Sequence, residues 1–254
     1  MSDLDRFKTF AKHLADISGS IIASYFRTHV SVDSKSDSSP VTIADKNAEE
    51  LMREEIMTEF PEHGIVGEEF GEHNVGAEYK WILDPIDGTK SFISGTVTFG
   101  TLIALVKNEQ PILGVINQPV LDEFLIGDNF TCELNGVKTT VRNFENLSDA
   151  TLLTTDHLNI KKYQNIDKFE KLLDKVKLYR NWGDCYGYYL LATGYADIMI
   201  DPIMNIWDLM ALIPVVKGAG GIITDYQGND AVNGNSIVAS TPYLHKKVIE
   251  ILNS

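Results

Sequence analysis

Cysteine is scarce in this chain: two residues in 254, Cys132 and Cys185. So few thiols exclude a disulfide framework and a cysteine-rich zinc site, and they fit a reducing compartment such as the cytoplasm. Histidine is thin as well. The six present are scattered, with no pair at metal-ligand spacing, which removes the usual zinc signatures. Long apolar runs are missing. The longest, around Leu102 to Val106, falls far short of the roughly 20 residues needed to span a bilayer. The opening segment MSDLDRFKTF is charged and has no apolar h-region, so a secretory leader is not expected. Basic residues are outnumbered, 22 Lys and Arg against 36 Asp and Glu, for a net charge of −14. Such a surface repels nucleic acid and anionic membrane. It also repels a phosphorylated small molecule, unless bound cations reverse the field locally.

What is present is an ordinary globular balance, 44% hydrophobic and 23% charged, on a chain long enough for a sizeable core. Leu4, Phe7, Phe10, Leu14, Ile17 and Ile21 recur at helical spacing and predict a long first helix to about Phe26. SVDSKSDSSPVT reads as a polar loop, and Thr42 precedes a second helix stopped by Pro61 and Gly64. From Ile65 the texture turns to strands: GIVGEE, YKWIL, then VTFGTLIALV and PILGVINQ as a hairpin about Asn108-Glu109, then EFLIG and TCELNG-VKTTV. After about Asn146 strands and helices alternate. This predicts an α/β (α+β) chain in two halves: a helix-plus-antiparallel-sheet half over 1–145 and an α/β half over 146–254.

Acids stand where apolar elements begin or end: Glu68 and Glu69 in GEE, Asp84 and Asp87 in DPIDGT, Asp45 in VTIAD, Asp208 in NIWD. Each has an ordinary reading. Thr42-x-x-Asp45 resembles a capping box, Asp208 sits in the first turn of its helix, Asp87-Gly88 is a turn pair, and GEE could be a solvated loop. Taken together, carboxylates clustered at strand ends repel one another unless something positive lies among them. An all-oxygen set suits Mg²⁺, Mn²⁺ or Ca²⁺ rather than zinc. Two or three such ions sharing a phosphate perform in-line phosphoryl hydrolysis. Pro85 fixes a turn in which the Ile86 carbonyl could face a metal, Thr89 could orient a water, and Gly88 and Thr89 offer backbone N–H groups to a phosphate.

GEE, then WILDPIDGTKSF, then WD followed by an apolar helix and GAGG, resemble the inositol monophosphatase family of Mg²⁺-dependent, lithium-sensitive phosphatases, in order and from the first helix to the last. The resemblance implies a layered αβαβα sandwich, a homodimer, and a phosphate monoester as substrate. It implies that Glu68, Asp84, the Ile86 carbonyl, Asp87 and Asp208 bind metal, and that Glu68 and Thr89 orient the attacking water, with Asp45 behind the Thr89 hydroxyl. It places Glu69 near the cluster and Lys35 in a loop that closes the site. No phosphoenzyme is expected. The continuation KSFISG, with Lys90, and the stretch NWGDCYGYYLLATG look like the histidinol-phosphatase branch. Asp184 and Asp201 are then candidates to receive the cationic part of histidinol phosphate, with Trp182, Tyr186 and Tyr188 as possible stacking partners or plain core. At Asp201 family members often carry Glu, one methylene longer. The alternatives are an inositol-1-phosphate or broad sugar-phosphate phosphatase and, in another class, a non-catalytic regulatory protein on the same fold.

Overall fold

The computed structural model describes residues 3–28, 32–34 and 40–254; Lys35 lies outside them. Helices α1 (Asp3–Tyr25) and α2 (Ile43–Glu59) form the first layer, joined through the short strands β1 (Val32–Ser34) and β2 (Pro40–Thr42). These strands correct the polar-loop reading of SVDSKSDSSPVT: Val32 pairs with Thr42 and Ser34 with Pro40. Serine and aspartate there do not prevent a two-strand ladder, because backbone groups alone form it.

The second layer is an eight-stranded sheet among the described residues. Its strands are β3 (Gly64–Gly67), β4 (Gly71–His73), β5 (Tyr79–Asp87), β6 (Gly100–Lys107), β7 (Gln110–Gln118), β8 (Glu123–Gly127), β9 (Cys132–Leu134) and β10 (Val137–Lys138), with the short helix α3 (Thr89–Ile93) between β5 and β6. The spatial order is β10-β9-β8-β7-β6-β5-β3-β4, and β3 runs parallel to β5. The β6–β7 hairpin turns at Asn108 and Glu109, both at positive φ, as a tight two-residue turn requires. Strand β6 reads as one apolar run because both of its faces are covered. Ile103 and Leu105 pack with Phe7, Leu14, Met52 and Trp81 on the α1–α2 side. Leu102, Ala104 and Val106 point the other way, into a core shared with Leu191, Leu212 and Val215.

That second core belongs to a central helical layer, α6 (Asp184–Ala192) and α8 (Leu212–Gly218). Beyond it lies a five-stranded sheet ordered β12-β11-β13-β15-β14, made of β11 (Thr151–Leu153), β12 (Leu178–Arg180), β13 (Ile198–Asp201), β14 (Ile222–Thr224) and β15 (Ile237–Ser240). Helices α5 (Ile166–Leu173) and α9 (Pro242–Asn253) cover its outer face through Phe169, Leu172, Leu244 and Val248. The layers therefore run αβαβα, as the resemblance implies. The sheet is mixed, because β15 is antiparallel to both neighbours. Helix α4 (His157–Tyr163) and strands β4 and β15 were absent from the sequence reading, and IWDLMALIPVV is two helices, α7 (Ile206–Leu209) and α8. Pro214 accounts for the break. It has no N–H for the Met210 carbonyl, and its ring crowds that oxygen.

Candidate active site

Strands β3 and β5 end together at one mouth of the molecule. Parallel pairing of β3 with β5 sets Gly67 beside Leu83, so Glu68 follows β3 where Asp84 stands on β5, and Glu68 N–H donates to the Leu83 carbonyl at 3.2 Å. Asp84 and Asp87 are three residues apart, which in a regular strand would aim them at opposite faces. A bulge removes that conflict. Asp84 pairs with Leu102 and Asp87 with Gly100, so three steps on β5 oppose two on β6. Pro85 fits the irregularity because it needs no ladder partner for nitrogen, and its carbonyl accepts the Thr101 hydroxyl at 2.9 Å.

The result is that Asp84, Asp87 and Asp208 of α7 each bring a carboxylate oxygen within 4.8 Å of the others. Asp84 is buried, and its Oδ1 has no hydrogen-bond partner. Its carboxyl is held well above the ordinary range by burial, and then by the charges of Glu68, Asp87 and Asp208. Asp87 is raised likewise by burial and by Asp184 and Asp208. Burial pushes Asp208 up to about 6, with Glu68 adding to it. A buried oxygen without a partner among mutually repelling carboxylates is costly. The all-oxygen donor set fits a hard divalent cation.

The neighbouring groups divide their oxygens. Asp45 Oδ2 accepts Thr42 N at 2.8 Å and Thr42 Oγ1 at 2.6 Å, closing the capping box at the start of α2, while Oδ1 lies 3.5 Å from Thr89 Oγ1. The shorter bond of the Thr89 hydroxyl goes to the Ile86 carbonyl, at 3.0 Å. Asp208 Oδ2 accepts Asn205 N at 2.8 Å and Asn205 Nδ2 at 3.2 Å. Both ordinary readings, cap and first-turn acid, thus coexist with membership of the site.

Gly88, at φ +88°, starts α3, and a Cβ there would lie 2.9 Å from Asp184 Oδ2; only glycine gives both the backbone turn and the room. Across from it, Cys185 N–H at the start of α6 donates to Asp87 Oδ2, which ties the second half of the chain to the bulge. A cleft of about 390 Å³ opens here, with Glu68, Gly88, Thr89, Lys90, Asp184 and Asp208 in its wall. A smaller recess of about 120 Å³ leads on past Asp156, Asn159 and Asp201. Lys90 is exposed. Asp184 adopts φ +50°, uncommon for a residue other than glycine, and burial with Asp201 and Asp208 nearby pushes its carboxyl up to about 7. Asp201 is buried and accepts Thr155 N at 3.1 Å and Tyr188 OH at 2.8 Å.

Among the aromatics, Tyr188 lines the recess, Tyr186 stacks on Tyr189 at 5.7 Å, and Trp182 is 45% exposed. Cys185 is buried core beneath Asp87. Asp156 and Asn159 were missed. The only signal for them was Asp156 as the N-cap of the overlooked α4. Among the described residues no helix is long and apolar enough to cross a membrane.

Comparison with known proteins fits this geometry. The family model described as inositol monophosphatase family matches residues 3–254. The chain is 43% identical to the chloroplastic bifunctional phosphatase IMPL2 of Arabidopsis thaliana, over 99% of this chain and 76% of that protein. It is 38% identical to the histidinol-phosphatase of Chlorobaculum parvum, over 96% and 95% of the two chains. A solved inositol monophosphatase from Zymomonas mobilis superposes with a TM-score of 0.90 at 36% identity, covering all of both chains. With a five-layer sandwich, an acid cluster at its mouth and a match along nearly its whole length, the chain belongs to the inositol monophosphatase family and is a phosphoric monoester hydrolase.

Proposed function

We propose that this phosphatase hydrolyses L-histidinol phosphate to L-histidinol and inorganic phosphate, a step of histidine biosynthesis, with two or three Mg²⁺ ions held by Glu68, Asp84, the Ile86 carbonyl, Asp87 and Asp208. The observation that carries the metal assignment is the unpartnered, buried Asp84 Oδ1 inside a carboxylate cluster. Mn²⁺ would serve in place of Mg²⁺, since both are hard cations suited to oxygen donors. Bound divalent cations supply positive charge that offsets the phosphate and acidifies water.

The chain's own groups do the rest. Thr89, backed by Asp45, holds a water by its hydroxyl, and Glu68 turns that water toward phosphorus. Gly88 and Thr89 present N–H groups to the phosphate oxygens, and Lys90 adds charge at the rim. No side chain is phosphorylated.

Substrate choice rests on the wall beside the cluster. Asp184 and Asp201 line the recess beside Asp87 and Asp208, and negative charge there suits an ammonium or imidazolium. Tyr188 OH and Thr155 N hold Asp201 in place, so it would contribute charge from a fixed carboxylate. The relation to the Chlorobaculum parvum histidinol-phosphatase supports the same reading. In this proposal residues 1–145 carry most metal ligands, and 146–254 carry Asp208 and the specificity wall. A homodimer belongs to it through the family resemblance, and a cytoplasmic location through the scarcity of cysteine.

Inositol 1-phosphate or another sugar phosphate is the second reading, favoured by the likeness to the Zymomonas mobilis inositol monophosphatase. Phosphate release from histidinol phosphate, inositol 1-phosphate and a nucleotide 3′-phosphate, each with Mg²⁺ and with EDTA, separates the two. A charged hydrogen bond of about 1.5–3 kcal/mol predicts a kcat/KM advantage for histidinol phosphate of about 10- to 150-fold. An advantage for inositol 1-phosphate rejects the substrate, and turnover in EDTA rejects the metal.

A further inference from the structure

We propose that Glu49, clamped by Arg53, is a positioning residue that sets Glu68 at the metal centre without touching substrate or metal. Helix α2 presents Asp45, Glu49 and Arg53 at successive i, i+4 steps, hence along one face. Asp45 reaches Thr89. One turn on, the fully buried Glu49 carboxylate turns to the other side of the mouth. Its Oε2 accepts Glu69 N at 2.8 Å, and its Oε1 accepts Phe70 N at 3.1 Å. Arg53 Nη1 donates to Glu49 Oε1 at 3.1 Å and also to the Gly71 carbonyl at 3.0 Å.

The three residues that follow Glu68 are therefore held by one acid–base pair, while Glu68 N–H itself is fixed to β5. A turn of the type GEEFG can satisfy such N–H groups with solvent. Here a carboxylate is taken out of water to do it, at a desolvation cost. The approach is close enough that a Cβ on Gly67 would lie 2.0 Å from Glu49 Oε1, so the glycine before Glu68 makes room for the clamp. Asp45 and Glu49 thereby align two separate pieces of the site, Thr89 and Glu68, from a single rigid helix. Outer groups that orient ligands in this way change metal affinity by about 10- to 100-fold when removed.

The inference rests on the reading of Glu68 as a metal ligand, and the test separates the two. Free Mn²⁺ is measured by electron paramagnetic resonance during titration of the full chain, without substrate, for wild type, Glu49→Gln, Arg53→Met and Glu68→Gln. Thermal unfolding in EDTA is recorded in parallel. Gln at position 49 offers one acceptor and one donor where two N–H groups need acceptors, so Glu49→Gln is expected to weaken Mn²⁺ binding about tenfold or more, with Arg53→Met in the same direction and smaller. KM for the phosphate ester should move less than the Mn²⁺ requirement. A lower Tm in EDTA with Mn²⁺ affinity within about twofold of wild type would make the clamp purely structural and overturn the proposal. If Glu49→Gln does not fold, Arg53→Met decides by the same criterion. Unchanged Mn²⁺ binding in Glu68→Gln removes the ligand assignment and this inference together. Weakened binding in Glu68→Gln but in neither clamp variant removes the inference alone.

Discussion

Asp84 and Asp87 deliver their carboxylates to one cluster although they stand three residues apart, because the bulge between them on β5, opposite Leu102 and Gly100, absorbs one step of the pleat. Two acids that a flat strand would send to opposite faces become neighbours, and the buried Pro85 between them is the residue least harmed by losing its place in the ladder.

Asp87→Asn is expected to leave the fold intact and lower kcat on the order of 10³-fold, the size of several kcal/mol of charge stabilisation. The amide still accepts the Cys185 N–H, so the circular dichroism spectrum should match wild type. Near-normal phosphate release at saturating Mg²⁺ would show that Asp87 is not needed at the centre.

Stability of the cation-free protein should fall as pH rises. Asp84, Asp87, Asp184 and Asp208 all titrate above the carboxylate value of 3.8. A raised folded-state pKa means that the folded chain keeps a proton that the unfolded chain gives up. The stabilisation is complete below the unfolded pKa and is lost as pH climbs through the folded values, about 6 for Asp208 and about 7 for Asp184. Asp84→Asn removes one of these buried charges. In EDTA at pH 7.5 its Tm should exceed that of wild type by about 2–4 °C for each kcal/mol recovered, and the gain should shrink toward pH 4.5. Calorimetry at the two pH values checks this; a pH-independent difference contradicts it. Saturating Mn²⁺ should reverse the order, because it restores the wild type and has less to bind in the variant.

Asp184→Asn is expected to discriminate between substrates. If Asp184 receives a cationic group, KM for histidinol phosphate should rise about 10- to 150-fold, the size of a charge-assisted hydrogen bond. Inositol 1-phosphate, which lacks that group, serves as the internal control for disturbance of the nearby Asp87 and Asp208. An equal rise for both esters would assign Asp184 to the cluster itself.

Much of this was legible in the sequence, and the gaps have physical causes. The long amphipathic α1, the hairpin at Asn108-Glu109 and the acids Asp84, Asp87 and Asp208 could be read because periodicity, turn chemistry and charge are local properties. The strand around Val238 was invisible as a strand because a short buried run carries no alternation. The α7–α8 break was written in Pro214 and was overlooked. Glu49 carries no local signal that sets it apart from the other acids of α2. Its burial depends on Gly67 and the turn after β3 lying against it, a tertiary fact that no window on the chain contains. Asp156 and Asn159 reach the recess only because β11 ends beside Gly183, where a Cβ would come within 2.1 Å of Thr155 Cα.

Asp45 and Asp208 each spend one oxygen on a helix start, while Asp45 also reaches Thr89 and Asp208 belongs to the acidic cluster. Local order and chemistry are thus soldered into the same side chains. Truncation to alanine at either position frays the helix that presents the residue and removes its charge at one stroke, so a dead alanine variant says nothing about which loss mattered. Asparagine keeps an acceptor for the helix and discards only the charge, and it is the replacement by which scaffold and reactivity can be told apart here.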